Sequence, residues 1–330
     1  MRIGVIGAGS FGTALAVAAK RGGCEVVLWC RSEEPAKAMR EDKENSVYLP
    51  GMLLDPCPDV ITTDVSDLRH CDAIINATPA QHLRVNLERM RHELRDDQPM
   101  IIAAKGIELA SGKLMSEVLE EAFPEAIPAI LSGPTFAREV AENRPSAITL
   151  ALSDQALAET LATAIGTPAF RIYCTDDLIG AQIGGAVKNV LAIAAGIVMG
   201  RGLGDNARAA LITRGLAEMA RLGVALGGKR ETLMGLAGIG DLMLTASALQ
   251  SRNCSLGYAL GQGDSLKKIL KSRKMVTEGV PTAAAVLGRA EQAGVEMPIC
   301  AAMNRVLNED ADIDTEIHAL LSRPSGTNEL

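Results

Sequence analysis

The sequence predicts an α/β protein, an N-terminal Rossmann-type doubly wound sheet followed by an all-α C-terminal domain. Three observations predict it. Through the first half, short β-rich runs alternate with amphipathic stretches of helical length, the pattern of parallel βαβ units. Near Asp177 the alternation stops, and the chain becomes Ala- and Gly-rich with helical period and no convincing strand. The chain has 330 residues, 48% of them hydrophobic, which exceeds one typical domain and can fill two cores. The expected domains are therefore residues 1–178 and 179–330.

The strands are expected at "RIGVIG", "CEVVLWC", "DAIINATP", "PMIIAAKG", "AILSG" and "AITLAL", each bounded by turn residues. Directly after the first comes Gly7-Ala8-Gly9-Ser10-Phe11-Gly12, at the mouth of a helix. Alone, G-x-G-x-x-G is a weak signal. In this setting Gly7 allows a tight turn, Gly9 lets a pyrophosphate approach the backbone and Gly12 lets helix pack on strand. The second strand leads into Cys30-Arg31-Ser32, where an NAD-specific site usually offers a carboxylate to the ribose 2′-hydroxyl. Arg31 offers a cation instead, suited to a 2′-phosphate, so the cofactor expected is NADP(H); Glu33 and Glu34 follow closely and leave NAD(H) open as well.

In the helical half, the turn clusters "GLGDN", "GLAGIGD" and "LGQGDS" predict four to six helices, the first running from about Ile179 to Gly200. This helix should lie at the domain boundary, where ligand clefts are common. It carries "GGAVKNVLAIAAG", in which Lys188 stands among small and apolar side chains. Burial disfavours the ammonium form and moves its pKa toward neutrality, which suits proton exchange with an alcohol. Lys105, at the C-terminal end of "PMIIAAK", reads either as a substrate-positioning cation or as a snorkelling surface residue. Asp241 and Thr245, four apart in "GIGDLMLT", share one helix face; Asp241 reads as a partner for the lysine or as an N-cap. Ser251, Arg252 and Asn253 offer a hydroxyl, a guanidinium and an amide suited to a phosphate, with a solvated loop charge as the alternative for Arg252.

Composition narrows the function. With 33 basic and 40 acidic residues the net charge is −7, which argues against nucleic acid or an anionic membrane as a general partner. The start "MRIGVIGAGS" lacks an apolar signal region, and the apolar run "VLAIAAGIVMG" is too short to span a bilayer, so the expectation is a cytoplasmic protein without stable membrane insertion. Seven cysteines without a C-x-x-C pair suggest neither a disulfide framework nor a zinc site, and no metal is expected. His70, His82, His92 and His318 lie in polar or loop-like surroundings, which leaves lysine as the expected proton carrier. The apolar faces of "ALITRGLAEMARLGVAL" suit either a homodimer interface or the core.

The motifs "GAGSFGTALA", "NSVYLPG", "AAKGIE", "LSGPTFAREV", "GGAVKNVLAI", "ARAALITRGLAEM", "GLAGIGDLMLT" and "SRN" resemble, in order and through nearly the whole chain, those of bacterial NAD(P)-dependent sn-glycerol-3-phosphate dehydrogenases. The resemblance implies reversible reduction of dihydroxyacetone phosphate to sn-glycerol 3-phosphate for glycerophospholipid synthesis. It further implies Lys188 as proton donor and acceptor with Asp241 beside it. Lys105, Gly133, Thr135, Lys188, Asp241, Thr245, Ser251, Arg252 and Asn253 would surround the substrate, and Lys105 and Arg252 would also reach the cofactor. Gly7, Gly9, Ser10, Phe11, Gly12, Arg31, Ala137, Val276 and Glu278 would complete the cofactor site. "ASALQSRN" matches the family only approximately, which makes Ser251 the loosest of these assignments. Two rival readings are a β-hydroxyacid or 6-phosphogluconate type of dehydrogenase, against which "SRN" speaks, and a nucleotide-sensing module, which would leave the polar residues of the helical half without a shared purpose.

Overall fold

The computed structural model describes residues 1–273 and 277–323. It divides into two compact units, Met1–Ala104 with Met115–Leu178, and Lys105–Leu114 with Ile179–Leu330. The expected division at 178 thus needs one change. Residues 105–114 leave the first unit as a short excursion, closed by a bridge between Ile107 and Leu114, and cluster with the second.

In the first unit, eight strands form one sheet in the order β3-β2-β1-β4-β5-β6-β7-β8. They are β1 (Arg2–Ile6), β2 (Glu25–Trp29), β3 (Val60–Thr62), β4 (Ala73–Asn76), β5 (Pro99–Ile102), β6 (Ile127–Ser132), β7 (Ser146–Ala151) and β8 (Phe170–Thr175). Six of the eight coincide with the runs expected from sequence. β3 and β8 are additions, and β7 runs antiparallel to β6 while the other neighbouring pairs are parallel. The covering helices are α1 (Ser10–Arg21), α2 (Glu33–Asp42), α3 (Leu83–Met90), α4 (Met115–Ala122), α5 (Ala137–Ala141) and α6 (Gln155–Ile165). Central strands such as β4, Ala-Ile-Ile-Asn, are buried along their whole length, as a sheet covered on both faces requires. Strand order reverses between β1 and β4, the position at which open α/β sheets bind ligands beyond the strand ends.

In the second unit, α7 (Leu178–Gly200) is the central helix, buried from Gly180 to Val198. Around it lie α8 (Asp205–Ala225), α9 (Arg230–Leu233), a π-helical turn at Leu236–Gly240, α10 (Asp241–Ser247), α11 (Arg252–Gly261), α12 (Leu266–Ser272), α13 (Gly279–Gln292), α14 (Pro298–Asn308) and α15 (Ile313–Leu321). This is more than the four to six helices expected, because α9, α10 and α12 are too short to show a period in the sequence. By length and composition α7 could cross a bilayer, contrary to the estimate from its longest apolar run, but it is a buried core helix. Glycines let α7 and α11 approach backbone to backbone. A Cβ placed on Gly196 would lie 2.1 Å from the Cys254 carbonyl oxygen, and one on Gly257 would lie 1.9 Å from that of Ile193. The approach fixes the N-terminus of α11 beside the middle of α7.

Candidate active site

Four of the expected residues meet in the second unit. Asp241, 1% exposed, opens α10, and its carboxylate takes both lysines: Lys105 Nζ lies 2.7 Å from Oδ2 and Lys188 Nζ 3.2 Å from Oδ1. Lys188 also donates to Thr245 Oγ1 at 2.9 Å, and that hydroxyl donates to Asp241 Oδ1 at 3.2 Å. The i, i+4 spacing on α10 brings Thr245 under the ammonium. Two lysine amines converge on the one carboxylate, a donor-rich arrangement that favours an anionic or electron-rich ligand.

This setting governs protonation. Lys188 is 7% exposed, and burial lowers its pKa from 10.5 to about 8. Asp241 opposes that shift by charge and hydrogen bond, Lys105 adds to it, and Glu278 opposes it more weakly. For Asp241, burial acts upward, but the charges of Lys105 and Lys188 and their hydrogen bonds outweigh it and hold the carboxyl below its usual range. The pair therefore combines a firmly ionised acceptor with a lysine close to its titration point at neutral pH.

An amide chain supports the cluster. Asn189 donates to the Lys105 carbonyl at 2.9 Å, Asn253 donates to Asn189 Oδ1 at 2.8 Å, and the Gly279 backbone N–H donates to Asn253 Oδ1 at 3.2 Å. Lys105, α7, α11 and the start of α13 are thereby tied together. Asn189 was visible in the sequence beside Lys188, but nothing there gave it a partner. Ser251 is the N-cap of α11, its oxygen accepting from the Cys254 N–H at 3.3 Å, and Arg252 is exposed at the first position of that helix. Arg273 donates to the Arg252 carbonyl at 2.5 Å and to Ser255 Oγ at 3.0 Å, which fixes the backbone presenting Arg252.

The remaining expected residues lie in the first unit. Gly7 follows β1 with φ 102°, a backbone conformation that favours glycine. A Cβ on Gly12 would lie 1.9 Å from the Gly7 carbonyl oxygen, whereas one on Gly9 would meet nothing within 4 Å. The turn is thus closed on its helix side and open at Gly9, a cradle that fits a dinucleotide pyrophosphate. Ser10 and Phe11 begin α1, and Arg31 is exposed just past β2. Gly133 and Thr135 follow β6, with the Thr135 hydroxyl donating to the Gly133 carbonyl at 3.2 Å, and Ala137 begins α5. Glu278 stands at the N-cap of α13 in the second unit, and Val276 lies outside the described residues.

Both halves of the chain match models of one family. Residues 2–158 match the N-terminal part of NAD-dependent glycerol-3-phosphate dehydrogenase, and residues 177–318 match its C-terminal part. The chain belongs to the NAD-dependent glycerol-3-phosphate dehydrogenase family. A glycerol-3-phosphate dehydrogenase [NAD(P)+] of Rhodospirillum rubrum is 55% identical over 322 residues, covering 98% of this chain and 92% of that protein. One of Maricaulis maris is 52% identical, covering 98% and 96%. Among solved structures, glycerol-3-phosphate dehydrogenase from Coxiella burnetii superimposes with a TM-score of 0.92 at 37% identity, covering 98% of this chain and 99% of that one. The chain is accordingly an NAD(P)-dependent oxidoreductase of this family, with the family's Rossmann-type sheet and helical second domain.

Proposed function

We propose that the protein reversibly reduces dihydroxyacetone phosphate to sn-glycerol 3-phosphate with NADPH, or NADH, and that Lys188 carries the proton. The observation that supports this reading is the buried cluster of Lys105, Lys188, Asp241 and Thr245, in which one lysine is tuned to about pH 8. When bound, the reduced nicotinamide supplies the hydride to C2 of the ketone. Lys188, as ammonium, polarises the carbonyl oxygen and gives its proton to the alkoxide that forms there. Asp241 holds that ammonium in place, Thr245 supplies a second fixed contact, and Lys105 adds positive charge beside the oxygen. In the reverse direction neutral Lys188 takes the proton from the substrate hydroxyl.

The phosphate end of the substrate is assigned to Arg252, Asn253 and the Ser251 hydroxyl at the N-terminus of α11, where backbone N–H groups and the helix dipole favour an anion. Gly133 and Thr135 are assigned to the substrate as well, on resemblance alone. The cofactor is assigned to Gly7, Gly9, Ser10, Phe11, Gly12, Arg31, Ala137 and Glu278, with Lys105 and Arg252 contributing and Arg31 pairing with a 2′-phosphate. Acting without stable membrane insertion in the cytoplasm, as a homodimer, the enzyme would supply glycerol phosphate for glycerophospholipid synthesis.

The test is oxidation of NADPH by purified protein on adding dihydroxyacetone phosphate, with NADH in parallel and, in the oxidative direction, a panel of β-hydroxyacids with NADP+. Consumption with the phosphorylated ketone alone is expected, and turnover of a hydroxyacid instead would overturn the substrate. Lys188→Ala should reduce turnover by about 10²–10⁴, the usual contribution of a general acid. A loss below about tenfold in a folded variant would remove Lys188 from the proton path.

A further inference from the structure

One buried side chain in the first unit is used completely and belongs to none of the assignments above. Asn45, 2% exposed, lies in the loop after α2, and its amide nitrogen donates twice, to the Ala8 carbonyl at 2.9 Å and to Thr13 Oγ1 at 2.8 Å. Its oxygen accepts from the Tyr48 backbone N–H at 3.2 Å, and the Leu49 N–H bonds its carbonyl at 2.7 Å. The loop is secured a second time by Ser10, whose hydroxyl donates to the Tyr48 carbonyl at 2.8 Å. Asn45 thus spans the glycine turn and the first helical turn beyond it, since Ala8 and Thr13 stand on either side of Gly9 and Gly12.

We infer that Asn45 is the positioning residue of the pyrophosphate turn: by holding the Ala8 carbonyl it fixes which way the Gly9 N–H points. A trans peptide is planar, and its C=O and N–H are directed oppositely across that plane. Anchoring the Ala8 oxygen on Asn45 therefore turns the Gly9 N–H away from Asn45. The open space at Gly9 lies in that same turn, with no heavy atom within 4 Å of a Cβ built there. The opposite face of the next peptide is held by the helix, because the Gly9 carbonyl accepts from the Thr13 N–H at 3.0 Å. Thr13 and Asn45 together lock two successive peptides of the turn, and a preorganised turn binds more tightly because it loses less freedom on binding. Neither Asn45 nor Thr13 belongs to the second unit, so the effect falls on cofactor binding and not on the proton transfer at Lys188.

This inference rests on the cofactor reading of the turn, and the experiment separates the two. Asn45→Asp keeps the shape but lacks both donors, and Asn45→Leu lacks them without adding charge. For each variant and the wild-type chain, the dissociation constants of NADPH and of adenosine 2′-monophosphate, which has no pyrophosphate, would be titrated, together with kcat and KM at saturating cofactor. Both variants should bind NADPH at least about tenfold more weakly, while adenosine 2′-monophosphate affinity and saturated kcat stay within about twofold. Unchanged NADPH affinity in either folded variant would overturn the role, as would equal losses for both ligands, which mark general damage. If one substitution prevents folding, the other decides. A wild-type chain that binds NADPH no better than adenosine 2′-monophosphate would refute the cofactor reading itself.

Discussion

At the scale of single residues, the proposed mechanism gives Lys188 opposite tasks in the two directions, and its titration should separate them. In that mechanism the ammonium is needed to reduce the ketone, and burial places its loss at about pH 8. The kcat/KM for dihydroxyacetone phosphate should be flat below that point and fall as pH rises through it, while kcat/KM for glycerol 3-phosphate oxidation should rise over the same interval. The neighbours set the position of the limb with opposite signs. Asp241 favours the charged form, so Asp241→Asn should shift the reductive limb to lower pH; Lys105 disfavours it, so Lys105→Met should shift the limb upward. Shifts in one direction for both variants would mean that a group other than Lys188 is titrating. Lys188 and Asp241 were legible in the sequence because a charge within an apolar helical stretch contradicts its surroundings. Asn45 was not, although it opens the motif "NSVYLPG", since an asparagine at the end of a polar run contradicts nothing, and its two acceptors lie 32 and 37 residues away.

At the scale of elements, the crossing of α7 and α11 depends on hydrogen atoms where other helices carry side chains. Gly257→Ala would set a methyl group 1.9 Å from the Ile193 carbonyl oxygen, and backbone can yield only by moving the helix. Overpacking of this kind costs about 1–3 kcal/mol, more than the roughly 1 kcal/mol that alanine gains over glycine in a helix. The denaturant midpoint should therefore fall, and because Asn253 rides on α11, the KM for the phosphorylated substrate should rise. Gly288 in α13 is the control: a Cβ there meets nothing within 4 Å, so Gly288→Ala should raise the midpoint. A raised midpoint for both variants would show that α11 is free to shift. The same locality explains which elements were legible. β1, β2, β4, β5, β6 and β7 announce themselves as apolar runs between turns, whereas β3 has only three residues and β8 buries only Phe170, its other positions being exposed or half-buried. The reversal of β7 leaves no local trace, because an antiparallel strand has the same period as a parallel one.

At the scale of the whole molecule, the sequence shows where strands give way to helices but not that residues 105–114 cluster with the far half, because such a return is not a property of any local window. That excursion carries Lys105 to Asp241, 136 residues away. The Lys105, Lys188, Asp241 and Thr245 cluster therefore lies within the second unit and the glycine turn within the first, and substitution of Lys188, which is not assigned to the cofactor, should separate the proposed proton transfer from cofactor binding. NADPH at one hundred times its dissociation constant should stabilise the native chain by about 2.7 kcal/mol through mass action alone. Lys188→Ala should keep that stabilisation in full while losing turnover, since Lys188 is not among the residues assigned to the cofactor. Thermal melts of both chains, with and without NADPH, measure it directly. If the variant's melting temperature no longer responds to NADPH, Lys188 contributes to holding the cofactor, and its loss of turnover is then no evidence for proton transfer. If the response is retained and turnover is gone, the defect lies in the chemical step, where a buried lysine titrating near pH 8 would act.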